Sequence, residues 1–324
     1  MSKAIRFPKT GGPEVLVWED VEVGDPGPGQ LRIRQHAVGV NYVDIYQREG
    51  MYPLPLPSGC GSEGAGVVEA VGSGVTDFKP GDRVAYASAP IGAYSEVRHY
   101  PAERAVKIPD GISFETAAAM MLKGLTVQYL IKRTFKVQPG MTVLWHAAAG
   151  GVGLIACQWL KALGAKVIGT VGSDGKAALA RDHGCEHTLV YTRENFVERV
   201  KEITGGKGVP VVYDSVGKTT FMGSLDCLQP LGMMVNFGSA SGAPEPFNVA
   251  LLQQKGSLFL TRPTLNTYAA KREDLVAGAA DLFEIVKSGK VRIEIGQRHA
   301  LKDAAQAHRD LAARKTTGST ILVP

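Results

Sequence analysis

The sequence predicts an α/β protein of two domains, one of them a parallel sheet with helices on both faces. Three observations predict it. From Met141 onward, β-branched runs alternate with helical stretches, the pattern of repeated strand–helix–strand units. Before residue 112 the chain reads instead as short strands punctuated by glycine and proline. Its 324 residues suffice for about two domains, and 44% hydrophobic with 21% charged residues excludes a disordered chain.

Taken in order, "LRIRQHAVGVN" carries a strand-like apolar run, and "GAGVVEAVGSGVTDFKPGDRVAYAS" alternates β-branched residues with glycine turns. The segments "GDPGPGQ" and "YPLPLPSGCGSEG" read as loops. Ser113 is placed to cap a helix that starts at Phe114, and "LTVQYLIKRTF" continues its period. The expected strands are Thr142–His146, Lys166–Val171, His187–Tyr191, Val209–Ser215, Met233–Gly238 and Ser257–Thr261, with helices such as Gly151–Leu163 and Asn195–Thr204 between them. An amphipathic helix around Arg272–Ser288 and a short final strand complete the chain. No tandem repeat or low-complexity tract interrupts it.

A net charge of +5 is mild. It suits an anionic small ligand, and no Lys/Arg block is dense enough for a nucleic-acid footprint, so no nucleic-acid partner is expected. The opening "MSKAIRFPKTGGPEV" lacks the apolar core of a signal peptide, and no apolar stretch reaches the length of a membrane helix. Cys60, Cys157, Cys185 and Cys227 are scattered singly, which favours reduced thiols and a cytoplasmic location. Cys157 is expected in the core, and Cys60, in a loop beside Gly61 and Ser62, is expected to be exposed and oxidisable.

The stretch "WHAAAGGVGLIACQWLKALGAKVIGTVGSDGK" carries the chemistry. Binding a pyrophosphate needs a tight turn, close approach of the anion, and the N–H groups of a helix N-terminus. Ala148, Gly150 and Gly153 occupy the three glycine positions of such a turn between a strand and a helix, with Gly151 and Val152 in between. Gly150 permits close approach of the phosphate and Gly153 close packing of helix on strand. Alanine at 148 departs from the consensus, so the turn must differ there. A site for NAD places an acid at the end of the next strand, to bind the ribose 2′-hydroxyl. Here Thr170, Val171 and Gly172 stand in that stretch, followed by Ser173 with Lys176 nearby. A 2′-phosphate is welcomed there rather than repelled, which predicts NADPH, with Asp174 facing solvent one turn later.

The chain resembles the medium-chain dehydrogenase/reductase superfamily, and within it the zinc-free quinone oxidoreductases related to zeta-crystallin. The resemblance rests on "GPEVL", "GVNYVDIYQREGMYP", "GSEGAGVVEAVGSGVTDFKPGDRV", "LKGLTVQYL", "HAAAGGVGLIACQWLKALGAKVIGTVGS", "VVYDSVG" and "LTRPTL". It implies a Rossmann-type doubly wound parallel sheet domain, 125–265, and a GroES-like β-rich catalytic domain, 1–124 completed by 266–324, with the active site in the cleft. It also implies a homodimer joined through outer strands, for which "SLFLTR" is a candidate edge. The zinc ligands of the metal-dependent relatives would fall at Asn41, Ser62 and near Leu122, and the four-cysteine structural lobe is absent, so no metal is expected.

With that ligand set missing, a quinone is the expected substrate. It is already electrophilic, and juxtaposition with the cofactor in a dry site suffices. Asn41, Tyr46 and Tyr52 are the candidate substrate-lining donors, and Asn41 also a cofactor contact. Further cofactor-binding residues implied by the resemblance are Tyr129, Tyr191, Ser215, Phe237, Gly238, Thr264, Leu265 and Arg314, and Asp214 reads as a buried structural acid. Two alternatives stand beside an NADPH-dependent quinone oxidoreductase: an alkenal or enone double-bond reductase with the same cofactor, and a zeta-crystallin-like RNA-binding or structural protein.

Overall fold

Side chains along Gln30–Val40 alternate buried and open as far as His36 and then run buried to Val40, so this strand is one-sided at its start and covered on both faces at its end. The computed structural model describes residues 1–324, and it divides into two units: Met1–Leu125 with Ala269–Lys287 and Ile293–Pro324, and Thr126–Tyr268 with Ser288–Arg292.

The first unit opens with β1 (Ser2–Phe7), β2 (Val17–Val21), β3 (Gln30–Val40), α1 (Tyr42–Glu49), β4 (Ser58–Gly59), β5 (Glu63–Val71), β6 (Arg83–Tyr86), β7 (Val97–Pro101) and β8 (Val106–Lys107), followed by helix α2 (Phe114–Tyr129), whose last turn from Thr126 belongs to the second unit. The Ser113 hydroxyl caps α2 as expected, accepting from the Thr116 N–H at 3.1 Å. Helix α2 runs into a wider π turn over Leu130–Thr134.

The second unit holds β9 (Thr142–Trp145), α3 (Gly151–Ala162), β10 (Lys166–Val171), α4 (Asp174–Asp182), β11 (His187–Val190), α5 (Phe196–Ile203), β12 (Val209–Asp214), α6 (Phe221–Asp226), β13 (Leu228–Asn236), α7 (Ala250–Gln254), β14 (Phe259–Thr261) and α8 (Leu265–Tyr268). All six strands are parallel, in the order β11-β10-β9-β12-β13-β14. That is the doubly wound order, whose direction of winding reverses between β9 and β12, where ligands collect at the carboxyl ends. The six expected strands are found here, four of them within one residue of their expected bounds, and the other two with larger changes. Strand β13 starts at Leu228, which pairs with Val209 ahead of an irregularity at Pro230–Leu231, where Leu231 has φ 62°. Strand β14 starts only at Phe259, because Ser257 has φ 56° and breaks the extended run.

The chain then returns through α9 (Arg272–Lys287), β15 (Ile295–Ala300), α10 (Ala304–Ala312) and β16 (Ser319–Val323). Strand β16 pairs antiparallel with β3, placing Thr320 opposite Val40 and Ile321 opposite Gly39, so the tail completes the sheet of the first unit. Each unit has its own core: Phe7, Leu31, Ile33, Val38, Tyr94 and Tyr100 in the first, Leu144, Ile168, Leu189, Val212, Phe221 and Met234 in the second. Cys60 belongs to the first core with 1% exposure, which corrects the expectation of an exposed thiol. Its neighbours Gly61 and Ser62 suggested an open loop, but the Cys60 carbonyl accepts from the Tyr94 N–H at 2.9 Å and draws the side chain inward. Desolvation pushes this thiol well above its ordinary range, so it is inert.

Candidate active site

At the carboxyl end of β9 the chain turns through Ala147 to Gly150 and enters α3. The left-handed residue of this turn is Ala147, φ 55°, one position before the alanine that departs from the consensus. Ala148 is fully buried, and its N–H donates to the Thr170 carbonyl at 3.0 Å. Its methyl is accommodated by Gly169 on β10, where a Cβ would lie 2.6 Å from the Ala148 Cβ. A Cβ on Gly153 would lie 2.6 Å from the carbonyl carbon of Ala148, so helix and strand approach as closely as expected. Gly150 is the N-cap of α3 and offers no side chain, which leaves the first-turn N–H groups of Gly151, Val152 and Gly153 open to an anion.

The corner after β10 is polar. Gly172 has room for no Cβ without meeting the Tyr191 hydroxyl at 3.1 Å, and Ser173 caps α4 by accepting from the Lys176 N–H at 3.4 Å. Asp174 is exposed, and both its oxygens are held by Arg193, at 2.7 and 2.5 Å. That bidentate pair lowers the Asp174 carboxyl below its ordinary range. Lys176 is half-buried in the first turn of α4 and Tyr191 is exposed after β11.

The loop after β12 is tied to Asp214, buried as expected. Its carboxylate accepts from the Val216 and Gly217 N–H groups at 2.7 and 3.0 Å and from the Thr220 hydroxyl at 2.8 Å. This holds Ser215 at the end of β12, and the Phe237 N–H at the end of β13 donates to the Asp214 carbonyl at 2.8 Å, with the Phe237 ring tilted against Trp145 at 5.6 Å between centroids. His146 lies beneath, between the Thr170 and Ser224 hydroxyls at 2.8 and 2.9 Å, its basicity lowered by burial. Arg262, which sequence reasoning passed over, spans the ends of β13 and β14 by donating to the Asn236 side chain, the Gly238 carbonyl and the Ser239 hydroxyl. Tyr129 stacks on Tyr268 at 4.4 Å, close after Thr264 and Leu265. Ala148, Gly150, Gly151, Val152, Gly153, Gly172, Ser173, Tyr191, Ser215, Phe237 and Gly238 thus share one structural feature: they follow the carboxyl ends of β9 to β13. Arg314 belongs to the first unit, exposed after α10 with φ 57°.

In the first unit, Asn41, Tyr46 and Tyr52 cluster along α1. The Tyr46 and Tyr52 rings meet edge to face at 5.4 Å, and the Tyr52 N–H donates to the Tyr46 carbonyl at 3.1 Å. Tyr46 is buried and Tyr52 is 38% exposed, so Tyr52 is the more open of the pair. Asn41 precedes α1 and is held twice: its N–H donates to Asp44 Oδ2 at 2.9 Å, and its Nδ2 donates to Glu63 Oε2 at 2.8 Å. Glu63 is fully buried and also accepts from the Leu122 N–H at 2.7 Å and Lys123 Nζ at 3.1 Å. Asn41 and the Leu122 segment, where the resemblance implies zinc ligands in metal-dependent relatives, therefore surround a carboxylate whose cation is a lysine. Nowhere do three His, Cys, Asp or Glu side chains converge. Gly39 makes this possible, since a Cβ there would overlap the Glu63 carboxylate and the Ala118 carbonyl. Sequence reasoning missed Lys123, whose signal was a lone charge in the apolar run "AAAMMLKGLTV".

Behind α1 runs a buried relay. Arg48 Nη1 donates to His308 Nδ1 at 3.1 Å, so His308 Nε2 carries the proton and donates to the Tyr94 oxygen at 3.0 Å. Tyr94 in turn donates to Asp44 Oδ2 at 3.0 Å. The second Asp44 oxygen is buried with no hydrogen-bond partner. Desolvation raises Asp44 to about 7, and desolvation with the Arg48 charge lowers His308 to about 3.

The likeness to known proteins spans both units. Residues 151–279 match the family model described as zinc-binding dehydrogenase, and residues 27–110 that of the alcohol dehydrogenase GroES-like domain. A quinone oxidoreductase of Pseudomonas aeruginosa is 58% identical over 325 residues, covering 100% of both chains. A 2-haloacrylate reductase of a Burkholderia species is 49% identical, covering 98% of this chain and 97% of its own. Among solved structures, the quinone oxidoreductase of Escherichia coli complexed with NADPH superposes with a TM-score of 0.98 at 51% identity, covering 99% of this chain and 100% of that one. With a β-rich unit completed by its own tail, a doubly wound second unit and this identity throughout, the chain belongs to the zinc-free quinone oxidoreductases of the medium-chain dehydrogenase/reductase superfamily.

Proposed function

We propose that the chain is an NADPH-dependent quinone oxidoreductase. The observation that carries this reading is that the identity with a quinone oxidoreductase runs the full length of both chains, so the unit bearing the acceptor residues is shared as well as the nucleotide unit. When bound, NADPH supplies the hydride. The chain's own residues do the rest. The uncapped N–H groups of Gly151, Val152 and Gly153 bind the pyrophosphate, and Gly150 lets it approach. Gly172, Ser173 and Lys176 take the 2′-phosphate at a corner whose acid, Asp174, is neutralised by Arg193. Tyr191 flanks the adenine, Ser215, Phe237 and Gly238 the nicotinamide half, and Tyr129, Thr264, Leu265 and Arg314 complete the cofactor contacts. Tyr46 and Tyr52 offer hydroxyl donors and ring faces to a planar acceptor, and Asn41 fixes the cofactor against it.

A second acceptor class is favoured by the 49% identity with a 2-haloacrylate reductase. A conjugated alkene accepts hydride in the same way and differs in needing a proton at carbon. The test is oxidation of NADPH, and separately NADH, by chelator-treated protein with 1,4-benzoquinone, 9,10-phenanthrenequinone and 2-chloroacrylate. Turnover of the quinones with preference for NADPH supports the first reading. Turnover of 2-chloroacrylate alone replaces it with the second, and equal use of NADH sinks the role of Lys176.

The reading extends to a homodimer joined along β14, the edge strand of the second unit, where Phe259 is 56% exposed and Leu260 is 38% exposed. Light scattering on the parent chain and a Phe259→Asp variant checks it: a parent monomer refutes it. A cytoplasmic location is supported by four unpaired cysteine thiols. No helix is long and apolar enough to cross a membrane.

A further inference from the structure

Asn41 is gripped by a buried acid that also holds a buried lysine. Glu63 is completely enclosed, and a carboxylate so placed requires a counter-charge and full hydrogen bonding. It has both. Oε1 takes the Leu122 N–H at 2.7 Å, which ties β5 to α2. Oε2 takes two donors, Asn41 Nδ2 at 2.8 Å and Lys123 Nζ at 3.1 Å, and Lys123 is itself buried. Sharing one oxygen couples the lysine to the asparagine. Without the ammonium, the buried carboxylate lacks its counter-charge and one of the two donors on Oε2, and it re-pairs with whatever donors remain. The Asn41 amide, one of those donors, then shifts with it.

We propose that Lys123 is a positioning residue for the reaction: through the shared Glu63 oxygen it holds the Asn41 side-chain amide in one orientation. The inference rests on the reading that Asn41 belongs to the active site. Lys123 touches neither substrate nor cofactor in this role. Its effect passes entirely through Glu63, and arginine, which keeps the charge, preserves it in part.

The experiment compares Lys123→Met, Lys123→Arg, Asn41→Ala and the Lys123→Met/Asn41→Ala double variant by steady-state kinetics with NADPH and 1,4-benzoquinone. The cofactor-free proteins are also labelled with 15N-asparagine, so that the Asn41 side-chain amide is followed by NMR. Lys123→Met is expected to lower kcat about 10-fold or more, as small misplacements at a reacting site do, and to shift the Asn41 amide resonances. Lys123→Arg is expected to recover most of both, and the double variant to be no slower than Asn41→Ala alone. If Lys123→Met does not fold, Lys123→Met/Glu63→Gln removes both charges together and is expected to fold with kcat still lowered. A folded Lys123→Met or Lys123→Met/Glu63→Gln with the parent kcat overturns the proposal, as do multiplicative effects in the double variant or an unmoved Asn41 amide. Parent kcat in Asn41→Ala removes Asn41 from the site instead, and so separates failure of that reading from failure of this one.

Discussion

Arg193 closes a two-point grip on Asp174, with Nη1 to Oδ2 at 2.7 Å and Nη2 to Oδ1 at 2.5 Å. The two residues stand 19 positions apart, one at the start of α4 and the other after β11, and the grip cancels the acid at the corner expected to take a 2′-phosphate. Arg193→Ala releases that negative charge. The KM for NADPH is expected to rise roughly 3- to 10-fold while that for NADH changes little, since charge complementarity is what is lost. Asp174→Asn in the same chain restores the NADPH value. A parallel rise for both cofactors would show that the pair serves the fold instead.

Ala147 and Gly169 record how the turn tolerates an alanine at 148. Ala147 holds a left-handed backbone that costs a non-glycine residue about 1–2 kcal/mol, and glycine loses about 0.4–1 kcal/mol through its freer unfolded chain. Ala147→Gly is therefore expected to raise the melting temperature slightly. Gly169→Ala sets a Cβ 2.6 Å from both the Ala148 Cβ and the Cys185 sulfur, and destabilises by about 1–3 kcal/mol as overpacking does. Adding Ala148→Gly relieves one of the two collisions, so the double variant is expected to melt above Gly169→Ala. Thermal melts of the set decide both points.

Asp44 and His308 tilt stability in opposite directions with pH. Asp44, ordinarily 3.8 and raised to about 7, makes the folded state the better proton binder across that window, so it weakens stability as pH rises from 3.8 toward 7. His308, ordinarily 6.5 and lowered to about 3, makes the unfolded state the better binder, so it weakens stability as pH falls from 6.5 toward 3. The two slopes oppose each other over the range they share. Asp44→Asn is expected to gain on the parent chain as pH rises from 4 to 7, and His308→Gln to gain as pH falls from 6.5 to 4. Differences in melting temperature that do not vary with pH would contradict both assignments.

Tyr52 is the open member of the Tyr46–Tyr52 edge contact. Tyr52→Ala removes a ring face and a donor and is expected to raise the KM for 1,4-benzoquinone about 10-fold, the scale of one aromatic contact with its burial. The dissociation constant for NADPH, read by fluorescence titration, is expected to stay unchanged. A change confined to NADPH binding would move Tyr52 from the acceptor to the cofactor.

What the sequence determined by itself is local. Thr142 to Val171 reads as a βαβ unit because strand and helix periods differ and the glycines sit between them. The expected start of β10 at Lys166 and its end at Val171 both hold, and the missing acid is visible as Thr170, Val171 and Gly172. Asp214 was legible as a buried acid because it ends an apolar strand. Tertiary structure alone decided the pairings. Glu63 meets Lys123 across 60 residues, and His308 joins Tyr94 across 214. Periodicity says that a residue turns inward, but which charge it meets there depends on how distant elements pack. The same limit explains Cys60: its glycine and serine neighbours mark a loop, whereas the desolvation that silences its thiol comes from Tyr94 and the core around it.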